Sequence, residues 1–206
     1  MKSIEINRAA IMGGTFDPIH YGHLLAAERV REELNLDCIF FIPSGNPPHK
    51  DYDGMASSVH RYNMVECAVT SNPFFKILDI EAKRKGYSYT IDTVNQMIEL
   101  LGSRCKLYFV IGADNAGDIL NWKNAHELIT KIEFIAVTRP GQWEEKLKYN
   151  VSVLRDEGCS IEVLQIPLVP VTSTEIRQRV KSNKSIRYLV PKEVREYIYT
   201  NNLYKS

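Results

Sequence analysis

Two histidines, His20 and His23, stand three residues apart in a glycine-rich stretch, residues 13–23, that reads GGTFDPIHYGH. A helix is expected to begin there, so the two side chains fall on neighbouring positions of one face. Two imidazoles aimed at one anion can donate N–H bonds and, when protonated, add positive charge. Gly13 and Gly14 let the backbone approach a ligand closely. Because a helix start also offers N–H groups and a positive dipole end, the stretch predicts an anion site suited to phosphate.

Other ligands are less well supported by this stretch. It lacks the G-x-G-x-x-G dinucleotide fingerprint and the G-x-x-x-x-G-K-[ST] pattern of a P-loop. No carboxylate or cysteine completes an obvious metal-binding set with the histidines, so metal ligation is the minor interpretation and no metal ligand is assigned. Gly22, between the histidines, is expected to remove bulk from the side that faces the ligand.

A second group of anion-suited residues lies near the end of the chain. Residues 172–175 read Thr-Ser-Thr-Glu, a pattern typical of a capping box that opens a helix. Arg177 follows in the first turns of that helix. Taken alone, this is an ordinary capped helix with a surface arginine. The Ser/Thr-rich cap beside Arg177 also has the right chemistry for an anion.

Short apolar runs alternate with amphipathic, helix-type segments, and these elements must position the candidate residues. Several runs are apolar at consecutive positions, as expected of strands covered on both faces. The predicted strands are residues 9–12, 38–42, 75–80, 107–111, 134–137 and 161–166. The alternation predicts an α/β fold with a Rossmann-like, doubly wound parallel sheet. We expect a single domain over residues 1–206, with a core of residues 8–170 and a C-terminal helical part of residues 171–206.

Composition excludes several classes of protein. The chain has 206 residues, 44% hydrophobic and 25% charged, as is usual for a globular protein. Lysine and arginine total 26 and aspartate and glutamate 25, so the net charge of +1 gives no reason to expect nucleic acid or a membrane surface as a partner. No apolar run approaches the length of a membrane span, and no signal peptide is evident, so we expect a cytoplasmic protein.

Two of these motifs also carry a resemblance. The H-x-G-H tetrad of residues 20–23 after Gly-Gly-Thr-Phe-Asp-Pro resembles the nucleotidyltransferase superfamily related to class I aminoacyl-tRNA synthetases. Residues 173–177 resemble the S-T-x-I-R motif of the same superfamily. Further stretches make the chain similar, over about residues 8–203, to the bacterial nicotinate-nucleotide adenylyltransferases: residues 43–50 (PSGNPPHK), 86–93 (GYSYTIDT), 112–115 (GADN), Trp122 and 139–141 (RPG).

The resemblance implies that AMP is transferred from ATP to nicotinate mononucleotide, giving deamido-NAD and pyrophosphate. It implies His20, His23 and Arg177 as catalytic residues. The ATP-binding residues that it implies are Gly13, Gly14, Thr15, Phe16, His20, His23, Gly112, Asp114, Ser173, Thr174 and Arg177. By analogy with other phosphoryl transfers, Mg²⁺ is expected as a cofactor that is held mainly by the ATP phosphates and water.

The acceptor site that the resemblance implies consists of Lys50, Tyr89, Thr90, Asp114 and Trp122. The backbone N–H groups at Tyr89 and Thr90 would read the nicotinate carboxylate, and Trp122 would stack on the ring or else be a core tryptophan. Asp114 would accept from ribose hydroxyls or act as a helix N-cap. Lys50, in the aperiodic segment of residues 43–58, would contact the mononucleotide phosphate or solvent.

Three alternatives stay open at this point. The acceptor can differ, as in the pantetheine-phosphate and the glycerol- or choline-type nucleotidyltransferases. The chain can be a non-catalytic nucleotide-binding module on the same fold. A tRNA synthetase fragment is disfavoured because a K-M-S-K-S motif is absent. The resemblance leaves a homodimer open, and the charged run of residues 81–85 is expected on the surface.

Overall fold

The computed structural model describes residues 6–46, 54–138, 145–167 and 169–205, and six parallel strands form one sheet within these ranges. The strands are β1 (Arg8–Gly14), β2 (Cys38–Pro43), β3 (Phe75–Ile77), β4 (Lys106–Gly112), β5 (Glu133–Thr138) and β6 (Ile161–Gln165). Each lies in a run of the sequence that predicts a strand. Only β3 departs clearly from the prediction, since it ends three residues early, at Ile77.

Helices connect the strands and cover both faces of the sheet. They are α1 (Tyr21–Glu33), α2 (Ser58–Val69), α3 (Thr90–Leu101), a 3₁₀ helix (Ala113–Asn121), α4 (Ala125–Lys131), α5 (Glu145–Asp156), α6 (Ser173–Lys181) and α7 (Lys192–Thr200). No helix in the described ranges has the length and the apolar character needed to cross a bilayer.

The strand order is β3-β2-β1-β4-β5-β6, so β1 is central and pairs with both β2 and β4. The chain winds outward from β1 in one direction through β2 and β3, and then returns to start the other half at β4. In an open α/β sheet, a ligand binds at such a reversal, in the crevice outside the carboxyl ends of the strands. The doubly wound parallel sheet predicted from the sequence is therefore observed, and its switch point lies between β1 and β4.

Alternate residues of β1 show how the two faces are buried. Ala10 and Met12 belong to one hydrophobic cluster, and Ala9 and Ile11 belong to the other. Because both faces are covered, the strand is apolar at consecutive positions. Helices α6 and α7 join the first cluster through Ile176, Val180, Val194 and Ile198, so the helices of residues 173–200 pack against the same face of the sheet as α1 and α2.

The capping pattern before α6 is only half of the predicted box. Thr172 is the N-cap, and its hydroxyl accepts a hydrogen bond from the Glu175 N–H at 3.1 Å. The Glu175 carboxylate lies 3.7 Å from a guanidinium nitrogen of Arg179, one turn further along the helix. A hydroxyl N-cap is sufficient to fix where α6 begins.

Candidate active site

A cleft of about 1220 Å³ opens at the carboxyl ends of β1 and β4. Its volume slightly exceeds the usual range of small-molecule sites, roughly 300–1,000 Å³, so it has room for a ligand the size of a dinucleotide. Most of the residues predicted from the sequence line it: Gly13, Gly14, Thr15, Phe16, His20, His23, Thr90, Gly112, Asp114, Trp122, Ser173, Thr174 and Arg177. Two do not: Tyr89 is not among the lining residues, and Lys50 lies outside the described residues.

The two histidines form a stacked pair at the start of α1. Their ring centroids are 3.7 Å apart and the planes differ by 22°. His20 is 6% exposed, whereas His23 is only partly buried. The backbone N–H of His20 donates to Nδ1 of His23 at 3.3 Å. A ring nitrogen that accepts a hydrogen bond carries no proton, so this contact places the proton of a neutral His23 on Nε2.

The glycines of the turn have a more specific role than the sequence suggested. A Cβ on Gly13 would lie 3.2 Å from the Phe109 ring, and one on Gly14 would lie 3.2 Å from the Phe16 ring. A Cβ on Gly22 would lie 3.0 Å from atoms of the His20 imidazole. At Gly22, which lines the cleft as expected, the missing side chain therefore also makes room for His20 itself.

The start of α1 offers fewer donors than a bare helix N-terminus. The Tyr21 N–H donates to the Leu189 carbonyl at 3.1 Å, and the His23 N–H donates to the His20 carbonyl at 3.0 Å. The segment before α7 thus covers part of this helix end. Consequently the side chains of the turn must contribute more of any anion binding than the helix start does.

The start of α6 docks directly on the histidine turn. Ser173 donates its hydroxyl proton to the Pro18 carbonyl at 2.8 Å. Arg177 donates from Nη1 to the Asp17 carbonyl at 2.8 Å and from Nη2 to the Thr174 hydroxyl at 3.3 Å. One third of the Arg177 side chain remains exposed, and the residue lines the cleft. The two motifs found in the sequence are therefore brought together, with a cationic group beside the histidine pair.

Behind the turn lies a buried arginine that sequence reasoning missed. Arg61, on α2, is 1% exposed and donates to three carbonyls. These belong to Thr15 at 2.8 Å, Gly45 at 3.0 Å and Ala56 at 3.1 Å. Its guanidinium thereby joins the turn after β1 to the segment after β2. The sequence does indicate that Arg61 is buried, because Arg61 occupies the same helical face as the buried Val65 and Ala68.

Among the residues predicted for the acceptor, Trp122 is partly buried and lies edge-on to Phe109 and Phe134, with ring centroids 6.1 and 6.3 Å away. It both packs on the core and lines the cleft.

Tyr89 is the N-cap of α3 and provides no side-chain cap, so the first N–H groups of α3, beginning with Thr90, lack a capping side chain at the cleft.

Asp114 lies inside the first turn of the 3₁₀ helix, and Gly112 is the N-cap, so Asp114 does not have the capping role that the sequence left open. A Cβ on Gly112 would collide with the Oδ1 of Asp114. Gly112 is therefore required for Asp114 to fold back over the end of β4. In that position the Asp114 carboxylate is exposed within the cleft.

The charged run of residues 81–85 is not all on the surface as expected. Glu81 is 8% exposed and lines the cleft. It accepts a hydrogen bond from the Thr93 hydroxyl at 2.6 Å. Burial raises the pKa of Glu81, and hydrogen bonds from Thr93 and Ser88 and the nearby charge of Arg84 lower it in part. The buried carboxyl of Glu81 thus joins the segment before α3 to Thr93 on α3, at the wall of the cleft.

Known proteins resemble the chain in sequence and in fold. The cytidylyltransferase-like family model matches residues 11–179. A Thermoanaerobacter protein named "probable nicotinate-nucleotide adenylyltransferase" is 45% identical, over 97% of this chain and 95% of its own. A protein of the same name from Moorella thermoacetica is 45% identical, over 96% of this chain and 92% of its own.

Solved structures share the fold at lower identity. Plasmodium falciparum nicotinic acid mononucleotide adenylyltransferase complexed with NaAD is 21% identical, with a TM-score of 0.77 over 96% of this chain and 97% of that one. The same protein complexed with APC is 20% identical, with a TM-score of 0.74 and the same coverage. With 45% identity to its relatives over nearly its whole length, the chain belongs to the cytidylyltransferase-like family and, within it, to the nicotinate-nucleotide adenylyltransferases.

Proposed function

We propose that the chain transfers AMP from ATP to nicotinate mononucleotide and releases pyrophosphate and deamido-NAD. The observation that carries this proposal is the stacked pair of His20 and His23, with Arg177 beside it, at the switch point of the sheet. The names of its relatives support the same activity. In this reaction a phosphate oxygen of the acceptor attacks the α-phosphorus of ATP, and the bond from that phosphorus to the oxygen bridging to the β-phosphate breaks. Both electrons of that bond leave with pyrophosphate.

The chemistry needs no nucleophile from the protein, because the acceptor phosphate is already a nucleophile. Catalysis then consists of positioning and of stabilising the charge that develops on the transferred and leaving phosphates. We assign this stabilisation to His20, to the Nε2–H of His23 and to Arg177. The backbone of residues 13–16, the hydroxyl of Thr174 and Ser173 at the start of α6 complete the proposed ATP site.

We assign the acceptor to the part of the cleft formed by α3 and the 3₁₀ helix. The uncapped N–H groups at the start of α3, beginning with Thr90, suit a carboxylate better than an amide, which brings donors of its own. A contact of the Tyr89 N–H with the carboxylate stays a prediction. Trp122 offers a ring at the cleft wall for stacking on nicotinate. Asp114 is placed to accept from ribose hydroxyls. The contact of Lys50 with the acceptor phosphate stays a prediction.

Mg²⁺ is proposed as a cofactor that enters with ATP. Within the described ranges, no cluster of three His, Cys, Asp or Glu side chains is arranged to hold a metal. Asp17, the carboxylate beside the histidines, already accepts hydrogen bonds from the Ala56 N–H and the Tyr204 hydroxyl. The side chains around the histidines therefore fit a cation whose ligands are mostly phosphate oxygens and water, as is usual for Mg²⁺. Such a cation supplies positive charge to the triphosphate.

The decisive experiment measures pyrophosphate release with a panel of donors and acceptors. ATP would be paired with nicotinate mononucleotide, nicotinamide mononucleotide and phosphopantetheine, and CTP with glycerol phosphate and phosphocholine. We expect the highest kcat/KM with ATP and nicotinate mononucleotide. Activity with phosphopantetheine but none with nicotinate mononucleotide would overturn the proposal. Equal activity with the two pyridine mononucleotides would remove only the preference for the carboxylate.

Two coarser expectations accompany the reaction. We propose a cytoplasmic location, where ATP is available, and fractionation of cells that produce the chain would test it.

We also propose a homodimer, which light scattering of the purified chain would test by its molar mass. A monomer at micromolar concentration would contradict the second proposal without affecting the reaction.

A further inference from the structure

A tyrosine that follows α7 reaches the back of the histidine turn. The hydroxyl of Tyr204 donates to Oδ1 of Asp17 at 2.7 Å, across 187 residues of sequence. The Tyr204 ring packs against the hydrophobic cluster shared by α1, α2, α6 and α7, and its hydroxyl lies 3.9 Å from the Met64 sulfur. The hydroxyl is thus directed by packing toward a single carboxylate.

Asp17 stands between this tyrosine and Arg177. Its Oδ1 accepts from Tyr204 and, at 3.1 Å, from the Ala56 N–H. Its backbone carbonyl accepts from Nη1 of Arg177 at 2.8 Å, while its Oδ2 lies 3.6 Å from the same nitrogen. Arg177 therefore holds the backbone of Asp17 closely and the carboxylate only loosely. Two donors on Oδ1 keep the carboxylate in that orientation.

The tyrosine is a permanent donor. Burial, together with the negative charge of Asp17 and its hydrogen bond, raises the pKa of Tyr204 well above its ordinary value. The hydroxyl therefore stays protonated throughout the pH range in which an enzyme works. Asp17, which is 5% exposed, has little access to water as a substitute donor.

We propose that Tyr204 is a positioning residue for the phosphate end of the cleft. By fixing the Asp17 carboxylate, it prevents a close ion pair between Asp17 and Arg177 and leaves the exposed third of the Arg177 side chain directed to the ligand. This inference rests on the proposed function in one respect: the ligand at this end is the triphosphate of ATP. Tyr204 acts through Asp17 and Arg177 and is not itself a catalytic residue.

Tyr204→Phe tests the proposal, because it removes only the hydroxyl and keeps the packed ring. Tyr197→Phe is a matched control, since the Tyr197 hydroxyl is also hydrogen-bonded, to His60 at 2.9 Å and to Asn63 at 2.8 Å, but these contacts join α7 to α2 away from the turn. We expect Tyr204→Phe to raise the Kd and KM for ATP about tenfold, the loss of one hydrogen bond to a charged group. We expect the KM for the acceptor to change less than twofold in both variants.

A double-variant cycle with Arg177→Lys separates positioning from a general loss of stability. If Tyr204 acts through Arg177, the effect of Tyr204→Phe on the Kd for ATP falls below twofold in the Arg177→Lys background. An unchanged tenfold effect in that background would overturn the proposal, as would equal effects of Tyr204→Phe and Tyr197→Phe. Calorimetric ATP binding needs no acceptor, so a wild-type chain that binds ATP but does not use nicotinate mononucleotide would refute the proposed reaction and leave the Tyr204 result to be decided separately.

Discussion

At the residue scale, one backbone contact decides which ring nitrogen of His23 carries the proton. Because Nδ1 accepts from the His20 N–H, a neutral His23 carries its proton on Nε2. The His20 ring stacks on it at 3.7 Å and limits its rotation. These two contacts hold the His23 ring in place, and preorganised donors contribute most to catalysis where charge develops in the transition state.

We predict that His23→Ala lowers kcat by roughly a hundredfold or more, the usual effect of removing one preorganised donor. His23→Gln is expected to retain more activity, since its amide nitrogen can replace Nε2 as a donor. His126→Ala is the matched control, because His126 is 80% exposed and lies on α4. Pyrophosphate release gives kcat, and thermal unfolding shows whether each variant is folded. Near-wild-type turnover by folded His23→Ala would remove His23 from the catalytic set.

Glu81 gives a second prediction at this scale, which concerns how the stability of the fold depends on pH. Its pKa is raised by burial, so the folded chain holds this proton more tightly than the unfolded chain does. Below the unfolded pKa, both states are protonated and the group has no pH-dependent effect. As the pH rises above the ordinary carboxyl value of 4.5, folding is increasingly opposed by the cost of burying the charge.

The Glu81→Gln variant should therefore gain stability relative to wild type as the pH rises above the ordinary carboxyl value of 4.5 towards neutral. Glutamine can still accept from the Thr93 hydroxyl, so the main hydrogen bond is kept. Glu99→Gln, on the exposed face of α3, controls for the loss of one negative charge. The measurement is the difference in Tm between variant and wild type at each pH. A constant difference across this range would contradict the prediction.

At the scale of elements, the sequence predicts the strands well because a sheet covered on both faces requires apolar residues at consecutive positions. It also predicts the histidine turn and the start of α6, since each motif is contiguous in sequence and lies at a helix start. It does not predict Arg61, Glu81 or Tyr204 as parts of the site. Arg61 and Tyr204 contact segments that are distant in sequence, and only the tertiary packing buries Glu81 at the wall of the cleft.

Arg61 shows how one buried side chain can join separate elements through its hydrogen bonds. Its guanidinium supplies donors to three carbonyls from two separate segments, and it is 1% exposed. We predict that Arg61→Met lowers the free energy of unfolding by on the order of 3 kcal/mol, since buried carbonyls that lose their donor each carry a penalty of about 1–3 kcal/mol. Arg61→Lys keeps the charge but not the planar fork, so it should restore only part of the loss.

Urea unfolding of Arg61→Met and of a control, Arg29→Met, measures this effect. Arg29 forms an exposed ion pair with Glu32 at 3.4 Å on α1, and such pairs contribute little. The control should therefore change the free energy of unfolding by less than about 1 kcal/mol. If the two variants lost equal stability, the assigned role of Arg61 in joining the segments would be wrong.

At the scale of the whole molecule, the topology explains why one cleft serves two substrates. The reversal of strand order between β1 and β4 leaves a crevice that is lined from both halves of the sheet. The β1 half supplies the histidines and contacts α6, while the β4 half supplies Asp114 and Trp122. The net charge of +1 conceals this arrangement, because few of the basic side chains line the described part of the cleft: His20 and His23 in the histidine turn, and Arg177, which is hydrogen-bonded to that turn.

A last prediction at this scale is that removal of the metal abolishes activity and leaves the folding of the chain unaffected. Since Mg²⁺ usually keeps several waters and binds through substrate phosphates, we expect it to reach the cleft on ATP. Chelation with EDTA should then abolish pyrophosphate release while leaving the Tm of the ligand-free chain unchanged. Added Mg²⁺ in excess of the chelator should restore full turnover, which controls for damage by EDTA. A fall in Tm on chelation would instead show a metal bound by the protein itself, because a ligand that binds only the folded state stabilises it.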